Sequence, residues 1–393
     1  MDRVLVNGRV MTERGLVEGL AVRLQGERIV ALGPRAEVAA GAEVRDLGGA
    51  LLLPGFIDTQ VNGGDGLLFN DAPTVETICR IGAAHRRFGT TGFLPTLISD
   101  DLATVRAAIV ATRAAIDART PGVLGLHIEG PFLNARRRGI HDASKLRRTD
   151  ETSVALLSSL GAGKTLVTLA PEATGLETIE RLAGAGVVVS AGHTDAPYAL
   201  VRAALDRGLT GFTHLFNAMS PLASREPGAV GAALEDQRAW CGIIVDGVHV
   251  DPVVLKLALR LRPHERFILI TDAMPCVGSQ QTAFELQGKT IAVRDGACFD
   301  EAGTLAGSAL DMASAVRNAV RMLGLDLADA SRMASRNPAE FLGLDHELGR
   351  IARGCFADLV LLDDDLQVLD TWVRGRAASE AAAGSQDGSA ARA

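Results

Sequence analysis

Apolar and polar positions divide this 393-residue chain into three stretches of different rhythm. Up to about residue 54, short apolar runs (Val4 to Val6, Leu20 to Leu24, Ile29 to Leu32, Ala50 to Leu53) alternate with turn dipeptides such as Asn7-Gly8 and Gln25-Gly26. Runs of that length between turn residues predict a small β unit. Similar strand material recurs at Gly354 to Leu362 and Leu366 to Val373. Neither end has enough strands to enclose a core alone, so residues 1–54 and 346–376 are expected to meet in one β-sandwich-like domain. Residues 377–393 are rich in Ala, Gly and Ser without apolar periodicity, which predicts a disordered tail.

Between these ends, residues 55–345 alternate strand-like and helix-like patterns, the signature of parallel βα units. Eight candidate strands fall at 56–60, 91–96, 122–129, 165–170, 187–193, 209–215, 240–246 and 266–272. Helical patterns intervene at 75–88, 102–117, 176–183, 199–207 and 252–261, and a last one at 308–323 would close the eighth unit. The predicted fold is α/β, a (β/α)8 TIM-type barrel carrying the small β domain. Two long insertions, 216–238 and 275–307, break the rhythm, and loops of that length usually serve function. The second holds strand-like pieces at 284–286 and 290–293.

Four of the apolar runs end on a group able to bind metal or transfer a proton: Glu129, His193, His214 and Asp272. Breakers follow closely, in Gly130-Pro131, Pro197 and Pro275. A barrel of parallel strands delivers such residues to one rim, at its C-terminal face. One carboxylate and two imidazoles suffice to hold a zinc-type ion with a position left for water. Strand alternation puts His127 on the same face as Glu129 but one layer lower. We therefore assign His127 to support, Glu129, His193 and His214 to the metal, and Asp272 to proton transfer beside it.

Composition narrows the function classes. The formal net charge of −7 argues against a nucleic-acid partner. The one dense basic cluster, Arg136 to Arg148, is either a solvated loop or a local positive field favouring a small anion. Five scattered cysteines without a Cys-x-x-Cys pair fit a reducing compartment. No apolar stretch approaches the roughly 18 residues needed to span a bilayer, and the first residues lack a signal-peptide pattern. A soluble, cytoplasmic protein is expected.

The motifs around these residues resemble the amidohydrolase superfamily, and within it the N-acetylglucosamine-6-phosphate deacetylase family. The resemblance is carried, in family order, by residues 127–132 (His-Ile-Glu-Gly-Pro-Phe), Gly192-His193, residues 214–219 (His-Leu-Phe-Asn-Ala-Met), residues 225–228 (Arg-Glu-Pro-Gly), residues 246–249 (Asp-Gly-Val-His), residues 271–273 (Thr-Asp-Ala) and residues 305–308 (Leu-Ala-Gly-Ser). It implies hydrolysis of N-acetyl-D-glucosamine 6-phosphate to glucosamine 6-phosphate and acetate, in amino-sugar catabolism or cell-wall recycling. It also implies Asp272 as base and acid, and His141 as the group polarising the acetamide carbonyl. Asn217, Ala218, Arg225, His249, Leu305, Ala306 and Gly307 would meet the sugar phosphate, with Arg225 reaching it across a homodimer interface. Where many superfamily members carry His-x-His for a second metal, this chain has Gln60-Val-Asn62, and amides are poor ligands for such ions. One divalent ion per chain is expected, zinc first, with iron, cobalt or manganese also suited to the donor set. Gln60 is either a hydrogen-bonded rim residue or a support for the water at the metal.

Three alternatives compete. The galactosamine epimer differs by one hydroxyl, which loop backbone can read. A cyclic-amide hydrolase usually needs a second metal bridged by a modified Lys, and Thr165 to Ala170 offers no Lys at its end. A non-enzymatic scaffold would have little reason to keep Glu129, both histidines and Asp272. Cys276, four residues past Asp272, either lines a mobile loop or packs.

Overall fold

A computed structural model describes residues 2–380. Eight parallel strands pair in consecutive order, β1 (Phe56–Val61), β2 (Thr90–Ile98), β3 (Gly125–Glu129), β4 (Lys164–Leu169), β5 (Val188–Ala191), β6 (Leu209–Phe212), β7 (Trp240–Ile243) and β8 (Phe267–Leu269). These are the eight expected strands. The ring closes beyond β8, where Val61 bridges Ala273 and the Asp272 amide donates to the Gln60 carbonyl at 3.1 Å. Side chains fasten the same seam: the Thr271 hydroxyl donates to buried Asp58 at 2.5 Å.

The helices form because their apolar residues recur on one face. In Leu102–Asp117 the buried positions are Val105, Ala108, Ile109, Ala111, Thr112 and Ala115, the i, i+3, i+4 spacing of a stripe facing a core. Thr74 caps helix Val75–Arg86 by accepting from the Thr77 amide. The main core lies between barrel and helices, with Phe93, Phe132, Phe212 and Phe267 essentially inaccessible. The last helix of the eighth unit spans Met312–Arg321 rather than 308–323. Asp311 caps it through the Ser314 amide, and Ser308 belongs to a strand bridged to Ala273.

Both chain ends contribute to one six-stranded sheet, in which Leu51–Pro54 pairs antiparallel with Leu359–Leu362. A second sheet, of Asp2–Val6, Leu20–Gln25, Arg28–Pro34 and Glu43–Asp46, packs over it through a core including Leu5, Val22, Ile29, Leu52, Leu359 and Trp372. The tail begins later than composition suggests: Ala377 pairs with Trp372, and the Ser379 hydroxyl donates to Asp370 at 2.6 Å. Residues 381–393, the rest of the expected tail, lie outside the described residues. The insertion after β8 folds into a small antiparallel sheet, Ala283–Leu286, Lys289–Arg294, Ala297–Phe299 and Leu305–Ser308, beside the barrel mouth. Among the described residues, no helix is long and apolar enough to cross a membrane.

Candidate active site

Glu129 is the last residue of β3, whereas His193, His214 and Asp272 lie two to three residues past their strands with φ of 48°, 35° and 54°. Non-glycine residues avoid this left-handed region at a cost of about 1–3 kcal/mol each, and such strain concentrates at functional sites. Here it turns three side chains out of the strand direction and into one mouth. Gly192 permits the turn, since a Cβ there would sit 2.6 Å from the Thr168 side chain.

The three donors form a compact triangle. His214 Nε2 lies 3.0 Å from both Glu129 Oε1 and His193 Nε2, and His193 Nε2 is 3.3 Å from Glu129 Oε1. Tetrahedral ligands at the usual metal–nitrogen distance of about 2.0–2.1 Å stand about 3.3 Å apart, so a divalent ion fits this cradle. His193 Nδ1 donates to the Arg137 carbonyl at 2.8 Å, which leaves its Nε2 lone pair free for a metal. Burial opposes ionisation of Glu129, but the two histidines overcome that and hold its carboxyl well below the ordinary range.

Asp272 is not part of the triangle. Its Oδ1 accepts from Asn62 Nδ2 at 2.7 Å and Gln60 Nε2 at 3.0 Å, and the same Gln60 amide reaches Glu129 Oε2 at 3.1 Å. Gln60 therefore links the Glu129 carboxylate to Asp272. Burial, and then the Glu129 charge, raise the Asp272 carboxyl above its usual value. His127 lies beneath, buried between the hydroxyls of Thr96 at 3.2 Å and Thr168 at 2.8 Å. Burial pushes it down to about 4, in keeping with a neutral supporting ring.

Above this floor opens a cavity of about 310 Å³ lined by Asn62, His141, Asn217, Ala218, His249 and Leu305 to Gly307 together with the triangle and Asp272. The Ser99 amide can only donate, and it meets His141 Nδ1 at 3.2 Å, so Nε2 carries the proton of the neutral ring. Burial and the neighbouring His193 push His141 down to about 3. His249 Nδ1 is fixed by Asp246 at 2.6 Å. Gly307 has φ 74°, and a Cβ there would meet the Asp272 carbonyl at 2.8 Å, so the lining loop approaches as only glycine allows. Arg225 is the one expected contact the cavity lacks: it is exposed on the segment after β6. It has no ion pair with Glu226, whose carboxylate instead accepts from the Tyr198 and Gly228 amides.

Sequence reasoning missed Asn62 as a partner of Asp272, Ser99 as the orienter of His141, and the Arg137 carbonyl behind His193. Only Asn62 had a signal, lying two residues past Gln60, the spacing that keeps side chains on one face where an extended run continues. Arg136 and Arg137 from the basic cluster also line the cavity, both paired with Asp195 at 3.3 and 2.8 Å.

A parallel barrel holding a metal cradle and a separate buried carboxylate at its C-terminal mouth defines a metal-dependent hydrolase. Within that class the chain belongs to the amidohydrolase family, whose profile matches residues 51–378. It is 46% identical to an N-acetylgalactosamine-6-phosphate deacetylase of Shewanella sp. (strain ANA-3), over 93% of each chain. The crystal structure of N-acetylglucosamine-6-phosphate deacetylase from Pasteurella multocida superposes with a TM-score of 0.93 at 35% identity, covering 96% of this chain and 99% of that one. A mutant of the N-acetyl-D-glucosamine-6-phosphate deacetylase from Mycobacterium smegmatis, in complex with N-acetyl-D-glucosamine-6-phosphate, matches with a TM-score of 0.89 at 36% identity, covering 96% and 99%.

Proposed function

We propose that the chain hydrolyses the acetamide of N-acetyl-D-glucosamine 6-phosphate, releasing acetate and D-glucosamine 6-phosphate. The observation that carries this reading is the donor triangle set beside an anchored Asp272 in one cavity at the barrel mouth. A bound divalent ion, held by Glu129, His193 and His214, would supply Lewis acidity and make water at the site more acidic. With Oδ1 tied to two amides, Asp272 keeps Oδ2 to take the proton of the attacking water and return it to the nitrogen as the C–N bond breaks. His141 Nε2–H would donate to the acetyl oxygen as charge builds there. Asn217, Ala218, His249 and the 305–307 backbone would hold the sugar and its phosphate, and Arg136 and Arg137 add positive charge at the mouth.

Zinc is the ion we assign, because two imidazoles and one carboxylate suit it, with iron, cobalt and manganese as rivals. Arg225 is assigned to the phosphate of the other subunit in a homodimer. Its exposure fits that role, as does the apolar surface on helix Pro252–Leu261, which contacts helix Gly228–Glu235 and in which Val253, Leu257 and Leu261 are 62%, 53% and 57% exposed. Five free thiols fit a cytoplasmic enzyme.

The 46% identity to a galactosamine-type deacetylase supports a second reading, in which the epimer is the better substrate. Acetate release from both N-acetylhexosamine 6-phosphates and their unphosphorylated forms tests both. Turnover confined to the phosphorylated sugars is expected, and the ratio of kcat/KM between epimers decides which reading holds. Equal rates without phosphate would overturn the substrate class.

A further inference from the structure

The hairpin joining Ala283–Leu286 to Lys289–Arg294 turns at Gln287 and Gly288, with φ of 50° and 78°. Two-residue turns with both φ positive select Asn, Asp or Gly. Gln287 meets that backbone demand poorly, and its side chain supplies the compensating contacts. Its Nε2 donates to the Ser99 carbonyl at 2.7 Å, and its Oε1 accepts from the Asp142 amide at 2.9 Å. Ser99 and Asp142 stand on either side of His141. The amide and hydroxyl of Ser99 meet His141 Nδ1 at 3.2 and 2.8 Å, and Asp142 is its chain neighbour.

We propose that Gln287 is a positioning residue that clamps Ser99 and the 141–142 backbone together, so that the His141 ring keeps Nε2–H turned toward the substrate carbonyl. The torsion that rotates an imidazole is broad and intrinsically weak, so the partner of Nδ1 sets both ring orientation and tautomer. Fixing that partner through a hairpin otherwise anchored by buried Leu286 and Ile291 ties ring alignment to the seating of the small sheet beside the mouth.

This inference rests on the role given to His141 above, and the experiment separates the two. Gln287→Met keeps side-chain length and loses both hydrogen bonds; Gln287→Ala also loses the packing. In both variants of the metal-loaded full-length enzyme, kcat should fall about 5- to 20-fold with KM within about twofold, the scale of one or two lost hydrogen bonds to an alignment that matters chiefly in the transition state. Repeated in a His141→Ala background, either substitution should change kcat by less than about twofold, because the group it positions is gone. Nitrogen NMR of histidine-labelled protein gives a readout independent of substrate: His141 should hold the Nε2–H tautomer in the parent and lose that single state in Gln287→Met. Wild-type kcat in Gln287→Met, a full further loss on top of His141→Ala, or an unchanged His141 signal would each overturn the proposal. A chain inactive on every acetamido sugar but with the expected NMR change would instead overturn the substrate reading and leave the clamp standing.

Discussion

Asp272 and Glu129 share a mouth, burial and the amide of Gln60, yet their environments drive them apart. Two histidines stabilise the Glu129 anion, whereas burial and the Glu129 charge raise the Asp272 carboxyl. Paired groups pushed in opposite directions fit the division of labour proposed above between metal binding and proton transfer. Asp272→Asn should therefore retain near-stoichiometric metal while losing at least roughly 100-fold in turnover; elemental analysis beside steady-state rates checks it, and retained turnover would remove Asp272 from the mechanism. These residues were legible in the sequence because each ends an apolar run and is followed closely by a breaker, so their shared rim follows from strand direction alone. Ser99 and Gln287 were not legible. Both are uncharged, and the bond between them spans 188 positions of sequence, so nothing local announces the pairing.

At the scale of elements, β1 and the residue that follows it supply Gln60 and Asn62 where a second metal would need imidazoles, and both amides are already committed to Asp272. Titrating metal-free protein should restore full activity at about one equivalent per chain; a need for two would reveal another ligand set. The seam between β1 and the end of β8 carries its own pH dependence. Burial pushes Asp58 from 3.8 up to about 7 against the bonds from Thr271 and Gln60. A carboxyl that holds its proton more tightly when folded contributes stability that is complete below 3.8 and is lost as pH rises to about 7. The Thr271 hydroxyl offsets that loss by donating to the ionised form. Thr271→Val should accordingly cost about 1–3 kcal/mol at pH 8 and distinctly less at pH 5, measured by urea unfolding. The strands and their closure into a barrel were readable from eight apolar runs, but the side-chain bond that fastens the seam was not, because it joins two residues 213 positions apart.

For the whole molecule, the proposed site is incomplete within one chain if Arg225 serves the neighbouring subunit. Arg225→Ala should then weaken phosphorylated substrate roughly 10- to 150-fold and leave the unphosphorylated sugar almost unchanged. Refolding equal amounts of Arg225→Ala and Asp272→Asn chains together should recover about a quarter of parental activity, since half the dimers are mixed and each mixed dimer owns one intact site. Mixed dimers without activity would confine Arg225 to its own chain. The sequence also suggested that both ends share one β unit, because neither had strands enough alone; it misplaced the start of the tail because Ala377, in an alanine-rich stretch, still pairs with Trp372.

That shared unit sets a timetable for the chain as it is made. Leu53 pairs with Val360, so the apolar strand Leu51–Pro54 leaves the ribosome about three hundred residues before its partner. At roughly 5–20 residues per second, the first domain half waits on the order of 15–60 seconds with an unpaired sheet edge while the barrel forms behind it. Unpaired apolar edges invite pairing with other chains. The nascent protein is thus most exposed to aggregation at the end it made first, and the last strands to emerge are the ones that relieve it.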